Sequence, residues 1–377
     1  MIVLEKKSFK DVLDRYYDWD FDTLFDNVTY DDVERALSKE YLNDHDLISL
    51  ISPKAQKYIE YLARKSFRIT RQFFGNVMFI YAPLYVSDHC VNACLYCGFS
   101  VFEKFKRKTL NLDEVRKEAE ILRSKGIRHV LLLTGESKFV GIDYITSVVK
   151  ILKEYFDEVS IEIYPMDEDD YRKVIESGAE GLTVYQETYD KDIYDKLHVF
   201  GPKKNYLYRL ETPDRGGRAG FREINIGALL GLAPVRKEIF LTLKHAEYLF
   251  ETYPDVEIGI SFPRMRPIHN SSSFKFDIYE VSDTDMVQFI SVARIFLNRI
   301  AINISTRESS EFRDNIALLG PTRMSAESST AVGGYSQNIK SSQFDVSDER
   351  TIEEFVKMLE SRGLCPTFVN WIREFNG

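Results

Sequence analysis

The chain has 377 residues, of which 44% are hydrophobic and 29% are charged. These proportions are typical of an ordinary folded protein and exclude a disordered chain, a collagen-like chain and a coiled coil. Because 59 acidic residues outnumber 50 basic ones, giving a formal net charge of −9, nucleic-acid binding through general basicity is not expected.

The sequence carries no pattern that predicts export or membrane insertion. Its first residues, MIVLEKKSFK, lack the features of a secretory signal, and its longest apolar run, 77–86, has ten residues. A membrane-spanning helix needs about 20 apolar residues, so this run is expected to be a buried strand. We therefore expect a cytoplasmic protein whose four cysteines serve a metal or a reaction rather than disulfides.

The first part of the chain, residues 1–73, is predicted to be a helical extension, in which Ser52-Pro53 is typical of the start of a long helix. Beyond it, short apolar and β-branched segments alternate with amphipathic helices, for example at 113–126 and 283–299. Eight strands are predicted, at 77–86, 128–135, 158–165, 181–187, 223–232, 257–263, 301–307 and, most weakly, 322–328.

Eight strands with intervening helices match a closed (β/α)8 barrel of the TIM type, which we expect over residues 74–330. Local sequence patterns alone do not separate this fold from a doubly wound open sheet. The remaining residues, 331–377, are predicted to form a polar loop, a helix near 349–362 and a short tail.

Three cysteines, Cys90, Cys94 and Cys97, lie within eight residues directly after the first predicted strand. Thiolates spaced so closely can surround one metal centre. Structural zinc usually needs four ligands, whereas the only other cysteine is the distant Cys365 and no histidine pair stands at ligand spacing. Three cysteine ligands suit a [4Fe–4S] cluster with one open iron. A non-enzymatic zinc-binding scaffold is the alternative, and Cys365 is expected to be an inert thiol.

The CxxxCxxC spacing, with Tyr96 before the last cysteine, resembles the radical S-adenosylmethionine (SAM) superfamily. Further segments between about residues 70 and 335 resemble the 2-iminoacetate synthases, the tyrosine lyases of bacterial thiazole (thiamine) biosynthesis. These segments are PLYVSDHCVNACLYCGF, TGES, VYQETY, RLETPDRGGRAG, IGALLGL, SFPRMRP and STRESSEFRD. The resemblance implies that the three cysteines bind three irons and that SAM chelates the fourth through its amino and carboxylate groups.

The resemblance also implies a reaction. A radical derived from SAM would take hydrogen from the amino group of L-tyrosine, and the Cα–Cβ bond would then break to give 2-iminoacetate (dehydroglycine) and p-cresol. A flavodoxin or ferredoxin is the implied electron donor, and thiazole synthase is the implied recipient of the product. Two related activities stay open: a tryptophan lyase, and a hydrogenase-cofactor maturase that also cleaves tyrosine but carries a second cluster on further cysteines.

Barrel enzymes carry their reactive residues at the carboxyl ends of the strands. Polar candidates occupy such positions here independently of the resemblance: Tyr85, Thr134, Gly135, Glu136, Glu162, Gln186, Glu187, Arg307 and Ser325. Because the eighth strand of a closed barrel neighbours the first, Tyr85, Arg307 and Ser325 are expected to converge on one side, with the carboxylates opposite. A guanidinium can bind a substrate carboxylate bidentately, and a carboxylate such as Glu136 suits the ammonium group of SAM.

The resemblance assigns roles to some of these residues. The TGE segment would contact the SAM amino group, so the predicted cofactor-binding residues are Tyr96, Thr134, Gly135, Glu136, Glu162 and Gln186. The predicted substrate-binding residues are Tyr85, Arg307 and Ser325. Purely structural alternatives are that Arg307 pairs with a nearby glutamate, Glu308 or Glu311, and that Glu162 and Gln186 serve only other barrel residues.

Three further features carry weaker predictions. His89 and His198 are expected to be structural histidines with satisfied hydrogen bonds. The basic segment KFKRK, 104–108, is expected to be a solvated surface or, alternatively, a docking patch for an acidic electron donor.

Overall fold

The computed structural model describes residues 8–266, 276–340 and 343–369. Four short 3₁₀ helices lie within these ranges, at Asp14–Tyr16, Pro53–Tyr58, Lys138–Val140 and Pro202–Lys204. The α-helices of the same ranges are Phe9–Leu13 (α1), Phe21–Asn27 (α2), Tyr30–Ser38 (α3), Asp44–Ile51 (α4), Ile59–Phe74 (α5), Leu112–Ser124 (α6), Ile142–Tyr155 (α7), Glu168–Glu176 (α8), Lys191–Leu197 (α9), Tyr206–Leu210 (α10), Thr212–Ala219 (α11), Val235–Thr252 (α12), Asp283–Phe296 (α13), Ser310–Ile316 (α14), Gly334–Gln337 (α15) and Ile352–Ser361 (α16).

The strands form one parallel sheet that closes on itself. They are Val77–Ser87 (β1), His129–Thr134 (β2), Glu158–Glu162 (β3), Gly181–Glu187 (β4), Glu223–Ala228 (β5), Glu257–Ser261 (β6), Ala301–Ile304 (β7), Arg323–Ser325 (β8) and Cys365–Thr367 (β9). Strand β1 pairs with both β2 and β8, which completes an eight-stranded barrel. The predicted (β/α)8 fold is therefore confirmed, and the open-sheet alternative is excluded by this pairing.

Several predicted strands extend too far toward the carboxyl end. Strand β5 ends at Ala228, β6 at Ser261 and β7 at Ile304, two to four residues before the predicted ends. The residues beyond leave the ladder and form the loops of the barrel mouth; the Leu229 amide, for example, donates to the Glu187 carbonyl at 2.8 Å. The structure also contains the short strand β9, which the sequence pattern did not predict. It pairs with the first residues of β1.

The N-terminal helices pack directly on the barrel helices. Phe9 of α1 stacks on the ring of His245 of α12, with 3.9 Å between ring centroids. The predicted helix start at Ser52-Pro53 is a 3₁₀ turn that leads into α5, and Gln56 of that turn donates to Asp285 of α13 at 2.7 Å. Buried residues of this region belong to the same hydrophobic cluster as the barrel core.

A charged layer fills the amino-terminal end of the barrel interior. Arg323 on β8 forms ion pairs with Glu223 and Glu257. Beside them, His129 and Ser160 form a hydrogen bond of 3.0 Å. Buried charges that pair in this way close the floor of the barrel, so open space is left at its carboxyl end. Within the described ranges, no helix is both long and apolar enough to cross a membrane.

The C-terminal segment returns over the barrel mouth. The Ser347 amide donates to the Thr306 carbonyl at 2.9 Å. Arg313 of α14 forms a fully buried ion pair with Asp348 and also donates to the carbonyl of Ser325, the last residue of β8. This pair therefore fixes both the returning segment and the end of the strand that carries Ser325.

We expect Asp348→Ala to lower the free energy of unfolding by about 3–5 kcal/mol, because it leaves the buried Arg313 guanidinium without its counter-charge. Glu353→Ala is the matched control, since it removes an exposed carboxylate whose partner Lys357 stays in water. Urea unfolding followed by circular dichroism measures both variants. Equal stability of the two variants would contradict a structural role for the buried pair.

Candidate active site

A cavity of about 1700 Å³, part of it open to solvent, lies at the carboxyl ends of the strands. The structure brings together around it nearly all of the predicted site residues: Tyr85, Cys90, Cys94, Tyr96, Cys97, Thr134, Gly135, Glu136, Glu162, Arg307 and Ser325.

Gln186 was predicted to bind the cofactor, but its side chain does not line this cavity, so that prediction is wrong. Side chains alternate between the two faces of a strand, and Thr183, Tyr185 and Glu187 of β4 line the cavity. Gln186 therefore points to the other side of β4, where its side chain is buried. Glu187, its neighbour, is the cavity-facing residue of the pair.

The loop that carries the three cysteines is held by backbone hydrogen bonds to the end of α9 and the segment after it. The Leu95 amide donates to the Leu197 carbonyl, and the Ala93 amide donates to the Phe200 carbonyl, both at 3.0 Å. On its other side, the Arg107 guanidinium donates to four backbone carbonyls of the same loop, those of Asp88, Phe99, Ser100 and Glu103. A loop fixed in this way can present its thiols in a constant arrangement.

Polar groups surround the thiols inside the cavity. The Gln343 amide and the Phe99 backbone N–H each donate to Cys97 Sγ at 3.4 Å. Burial raises the pKa of Cys94 to about 12 and also raises the pKa of Cys97. These thiols are therefore protonated unless a metal displaces the protons, as metals do when they bind thiolate ligands.

The arrangement of the thiols fits a metal cluster better than a single ion. In the described part of the chain, no three His, Cys, Asp or Glu side chains converge to hold one metal ion. Cys90, Cys94 and Cys97 nevertheless line one cavity, as ligands to separate irons of one cluster would. Cys365 is exposed on β9 beside Val77, at the opposite end of the barrel, and cannot reach them.

Tyr96 connects the cysteine loop to His198. The Tyr96 hydroxyl lies 2.7 Å from His198 Nε2, and His198 Nδ1 lies 2.7 Å from the Tyr194 carbonyl. Burial lowers the pKa of His198 to about 3, so the ring is neutral. Both ring nitrogens have partners, which agrees with the predicted structural role of this histidine.

Carboxylates occupy one side of the cavity. Glu136 accepts a hydrogen bond of 2.6 Å from Asn92, whose amide also lies 3.7 Å from Cys90 Sγ. Burial raises the pKa of Glu162 to about 7, although Arg307 opposes this shift. A half-buried carboxyl group with such a pKa can bind an ammonium group or exchange a proton near neutral pH.

Glu187 lies on the same side of the cavity, with a strained backbone and a carboxylate that forms ion pairs. Its backbone has a φ of 72°, a left-handed conformation that non-glycine residues adopt rarely and mostly at functional positions. Burial alone would raise its pKa, but Lys203 at 2.6 Å and Arg209 at 3.3 Å hold the pKa below the usual value. Glu187 is therefore ionised and already neutralised by the protein.

Arg307 lies opposite, three residues after β7, with its guanidinium 3.4 Å from the centroid of the Phe344 ring. Glu308 binds Arg264 and Arg266 instead of Arg307, and no carboxylate of the described residues forms an ion pair with Arg307. The rim ion pair considered as an alternative is therefore absent from the described structure. The Arg307 cation remains available to an anion that enters the cavity.

Tyr85 and Ser325 lie on the same side as Arg307. The Tyr85 hydroxyl donates to Gln343 Oε1 at 2.9 Å, and Ser325 Oγ accepts from the Thr306 amide at 3.1 Å. The expected convergence of the ends of β1, β7 and β8 is thus present around one cavity.

Gln343, Phe344 and Asn92 line the cavity but were not predicted. The first two belong to the returning C-terminal segment, whose polar sequence gives no local signal of where it packs. Asn92, in contrast, lies inside the CxxxCxxC segment, where its position between two cysteines was a usable signal.

Comparisons with known proteins agree with this geometry. Residues 84–241 match the model of the radical SAM superfamily, and 261–365 match that of the biotin and thiamin synthesis associated domain. The chain is 38% identical to the 2-iminoacetate synthase of Escherichia coli (strain K12) over 97% of both chains, and 37% identical to that of Salmonella typhimurium (strain LT2) over 95% of both. The chain belongs to the 2-iminoacetate synthase family.

A solved structure supports the fold of this family member. The crystal structure of HydG, a maturase of the [FeFe]-hydrogenase, superimposes with a TM-score of 0.83 and 30% identity, covering 96% of this chain and 80% of that chain. As a member of the radical SAM superfamily, the chain is a lyase that uses a [4Fe–4S] cluster and SAM. The three cavity-lining thiols are suitable ligands for that cluster.

The cluster assignment predicts different effects at two cysteines. We expect Cys365→Ser to retain the full iron content after anaerobic reconstitution, because Cys365 lies at the far end of the barrel. Cys94→Ser should lose most of the iron, since its thiol faces the cavity. Iron and sulfide analysis with the visible spectrum measures both. Equal losses in the two variants would contradict a single cluster site.

The raised pKa of Glu162 predicts that the free energy of unfolding depends on pH. Its pKa is raised in the folded protein, so between the ordinary value of 4.5 and about 7 the unfolded chain binds fewer protons than the folded one. Stability contributed by this residue is therefore present at low pH and lost as the pH rises through 7. We expect Glu162→Gln to be more stable than the parent at pH 8 and equally stable at pH 4. Thermal unfolding across this range tests the sign; a variant less stable at pH 8 contradicts it.

Proposed function

We propose that this chain cleaves the Cα–Cβ bond of L-tyrosine to 2-iminoacetate (dehydroglycine) and p-cresol, supplying the thiazole moiety of thiamine. One cavity joins the three thiols to the Arg307 guanidinium, which forms no ion pair with a carboxylate of the described residues, and this arrangement supports the proposal most directly. The relatives that match almost the whole chain are themselves 2-iminoacetate synthases.

Cys90, Cys94 and Cys97 would hold three irons of the cluster, and Glu136 and Glu162 would face the ammonium group of SAM. When bound, cluster and SAM together supply a carbon-centred radical. Gly135 lets the end of β2 pack directly on the cysteine loop, because a Cβ there would collide with the His89 carbonyl. Thr134, Gly135 and Tyr96 line the same cavity and would contribute to the SAM site.

Arg307 would anchor the carboxylate of tyrosine. A guanidinium binds a carboxylate bidentately, and Phe344 beneath it keeps the planar group in place while leaving its edge available. Burial raises the pKa of Tyr85 well above its ordinary value, so its hydroxyl stays protonated, and its proton would turn from Gln343 Oε1 to the substrate. Ser325, whose oxygen already accepts from Thr306, likewise has a hydroxyl proton to offer.

This anchoring would determine which bond breaks. Cleavage would begin with loss of a hydrogen atom from the amino group of tyrosine, held at a near-attack distance of about 3–3.5 Å. The Cα–Cβ bond would then break homolytically, because the departing p-hydroxybenzyl radical is delocalised over its ring. The α-carbon fragment becomes the imine, and the benzyl fragment gains one electron and one proton to become p-cresol.

The reaction implies two protein partners. A flavodoxin or ferredoxin would provide electrons at low potential, and thiazole synthase would receive the imine, which water hydrolyses readily. A cytoplasmic, reducing location would suit the thiols and stays a prediction. Co-purification with thiazole synthase is the expected outcome for the second partner.

The related activities differ in their requirements. The maturase activity needs a second cluster, but after the three clustered cysteines the sequence offers only Cys365. A tryptophan lyase would use the same anchor for the α-amino acid. Arg307, Tyr85 and Ser325 do not distinguish the phenol ring of tyrosine from the indole ring of tryptophan.

Anaerobic assays with L-tyrosine and L-tryptophan in parallel, analysed by mass spectrometry, separate these activities. We expect p-cresol and glyoxylate, the hydrolysis product of the imine, from tyrosine alone. Carbon monoxide or cyanide would indicate the maturase reaction, and 3-methylindole-type products the tryptophan lyase. SAM cleavage with neither amino acid consumed would refute the proposal.

The proposed role of Arg307 as the anchor of the tyrosine carboxylate predicts a specific loss of kcat/KM. Arg307→Lys keeps the charge but loses the bidentate geometry, so kcat/KM for tyrosine should fall about 10- to 100-fold, as for loss of a hydrogen bond to a charged group. Arg299→Lys is the matched control, because Arg299 also stacks on a phenylalanine, Phe73, but is exposed. An unchanged kcat/KM in Arg307→Lys would exclude it as the anchor.

A further inference from the structure

Large apolar side chains are exposed around the cysteine loop. We call them the cluster-loop patch, and all are more than a third exposed: Val91, Val101, Phe102, Phe105, Phe139, Val199 and Phe200. Single exposed apolar residues are common, but several around one loop are typical of a surface that binds a partner.

The patch and the cysteine loop form one structural unit. The Phe102 and Phe200 rings pack edge to face at 6.0 Å. Phe200 accepts a backbone hydrogen bond from Ala93, and the Val101 amide donates to the Asn92 carbonyl at 3.0 Å. These bonds attach the patch to residues lying between Cys90 and Cys94. A protein docked on the patch therefore sits next to the cluster ligands.

The charge of this surface is opposite to that of the whole chain. Residues 101–108 contain four basic residues and one acidic residue, whereas the chain carries −9. Lys104 and Lys106 are exposed, and within the described part of the chain neither forms an ion pair. Lys138 lies 5.5 Å from the centroid of the Phe139 ring, which adds a cation at the other edge of the patch.

We propose that the cluster-loop patch docks a small acidic protein that delivers single electrons to the cluster. The inference rests on the proposed function, because that reaction needs an electron for SAM cleavage. Exposed aromatic residues provide the core of an interface, and surrounding lysines attract an acidic partner and orient it before contact. An acidic carrier fits this surface, whereas the rest of the chain, with its negative excess, repels it.

The test compares two electron sources in one assay. Tyrosine cleavage is measured with a purified flavodoxin as donor and, separately, with dithionite, which needs no docking. We expect Phe102→Ser/Lys104→Glu to lower the flavodoxin-driven rate at least tenfold at low donor concentration and to leave the dithionite-driven rate unchanged. In the parent, added salt should slow the flavodoxin-driven reaction, because the attraction is electrostatic.

The matched control is Phe67→Ser/Arg68→Glu, an equivalent exposed pair on α5, remote from the cysteine loop. It should leave both rates unchanged. Equal rates in the patch variant and the parent with flavodoxin would overturn the proposal, and so would a parallel loss of both rates, which indicates a structural role.

Calorimetry of flavodoxin binding tests docking without requiring turnover, so docking and tyrosine cleavage can fail independently. If the parent fails to cleave tyrosine with dithionite, the proposed function fails, but weakened flavodoxin binding in the patch variant still supports docking. If the variant instead loses only self-association or binding of thiazole synthase, the patch has a different occupant and the proposal is wrong.

Discussion

Pairing of β1 with both β2 and β8 is the constraint on which the site depends. Closure of the barrel places the carboxyl ends of all eight strands around one cavity, so residues far apart in sequence face each other there. The floor is filled by the ion pairs of Arg323, and the mouth is covered by the segment that Arg313 and Asp348 hold. The reactive groups are thereby confined between a charged floor and a fixed cover.

Some of the charged side chains that line this cavity form ion pairs with each other, and others do not. Glu187 is neutralised by Lys203 and Arg209, whereas Arg307 stacks on an aromatic ring and forms no ion pair with a carboxylate of the described residues. Glu162 sits where burial raises its pKa to about 7. Unpaired buried charge is costly to a folded protein, and zwitterionic ligands would relieve the cost at both positions. In the proposed function, the guanidinium would hold tyrosine by its carboxylate, and the carboxylates would hold SAM by its ammonium group.

The sequence allowed prediction of those features that have a local signature. Alternating strands and helices indicated the barrel, and the spacing of Cys90, Cys94 and Cys97 indicated the metal site. Strand ends were less predictable because apolar residues continue into the mouth loops, as after Ala228. Gln186 was placed wrongly because a one-residue shift along β4 reverses the direction of a side chain. Gln343 and Phe344 could not be found, since only tertiary packing brings them to Cys97 and Arg307.

In the proposed function, anchoring by Arg307 would present the amino group of tyrosine, rather than a carbon, to the radical. Turnover in D2O distinguishes the two, because amino hydrogens exchange with solvent and carbon-bound hydrogens do not. We expect 5′-deoxyadenosine from ordinary L-tyrosine to carry one deuterium from the solvent. Unlabelled 5′-deoxyadenosine in D2O, together with deuterium transfer from tyrosine labelled at its β-carbon, would contradict it.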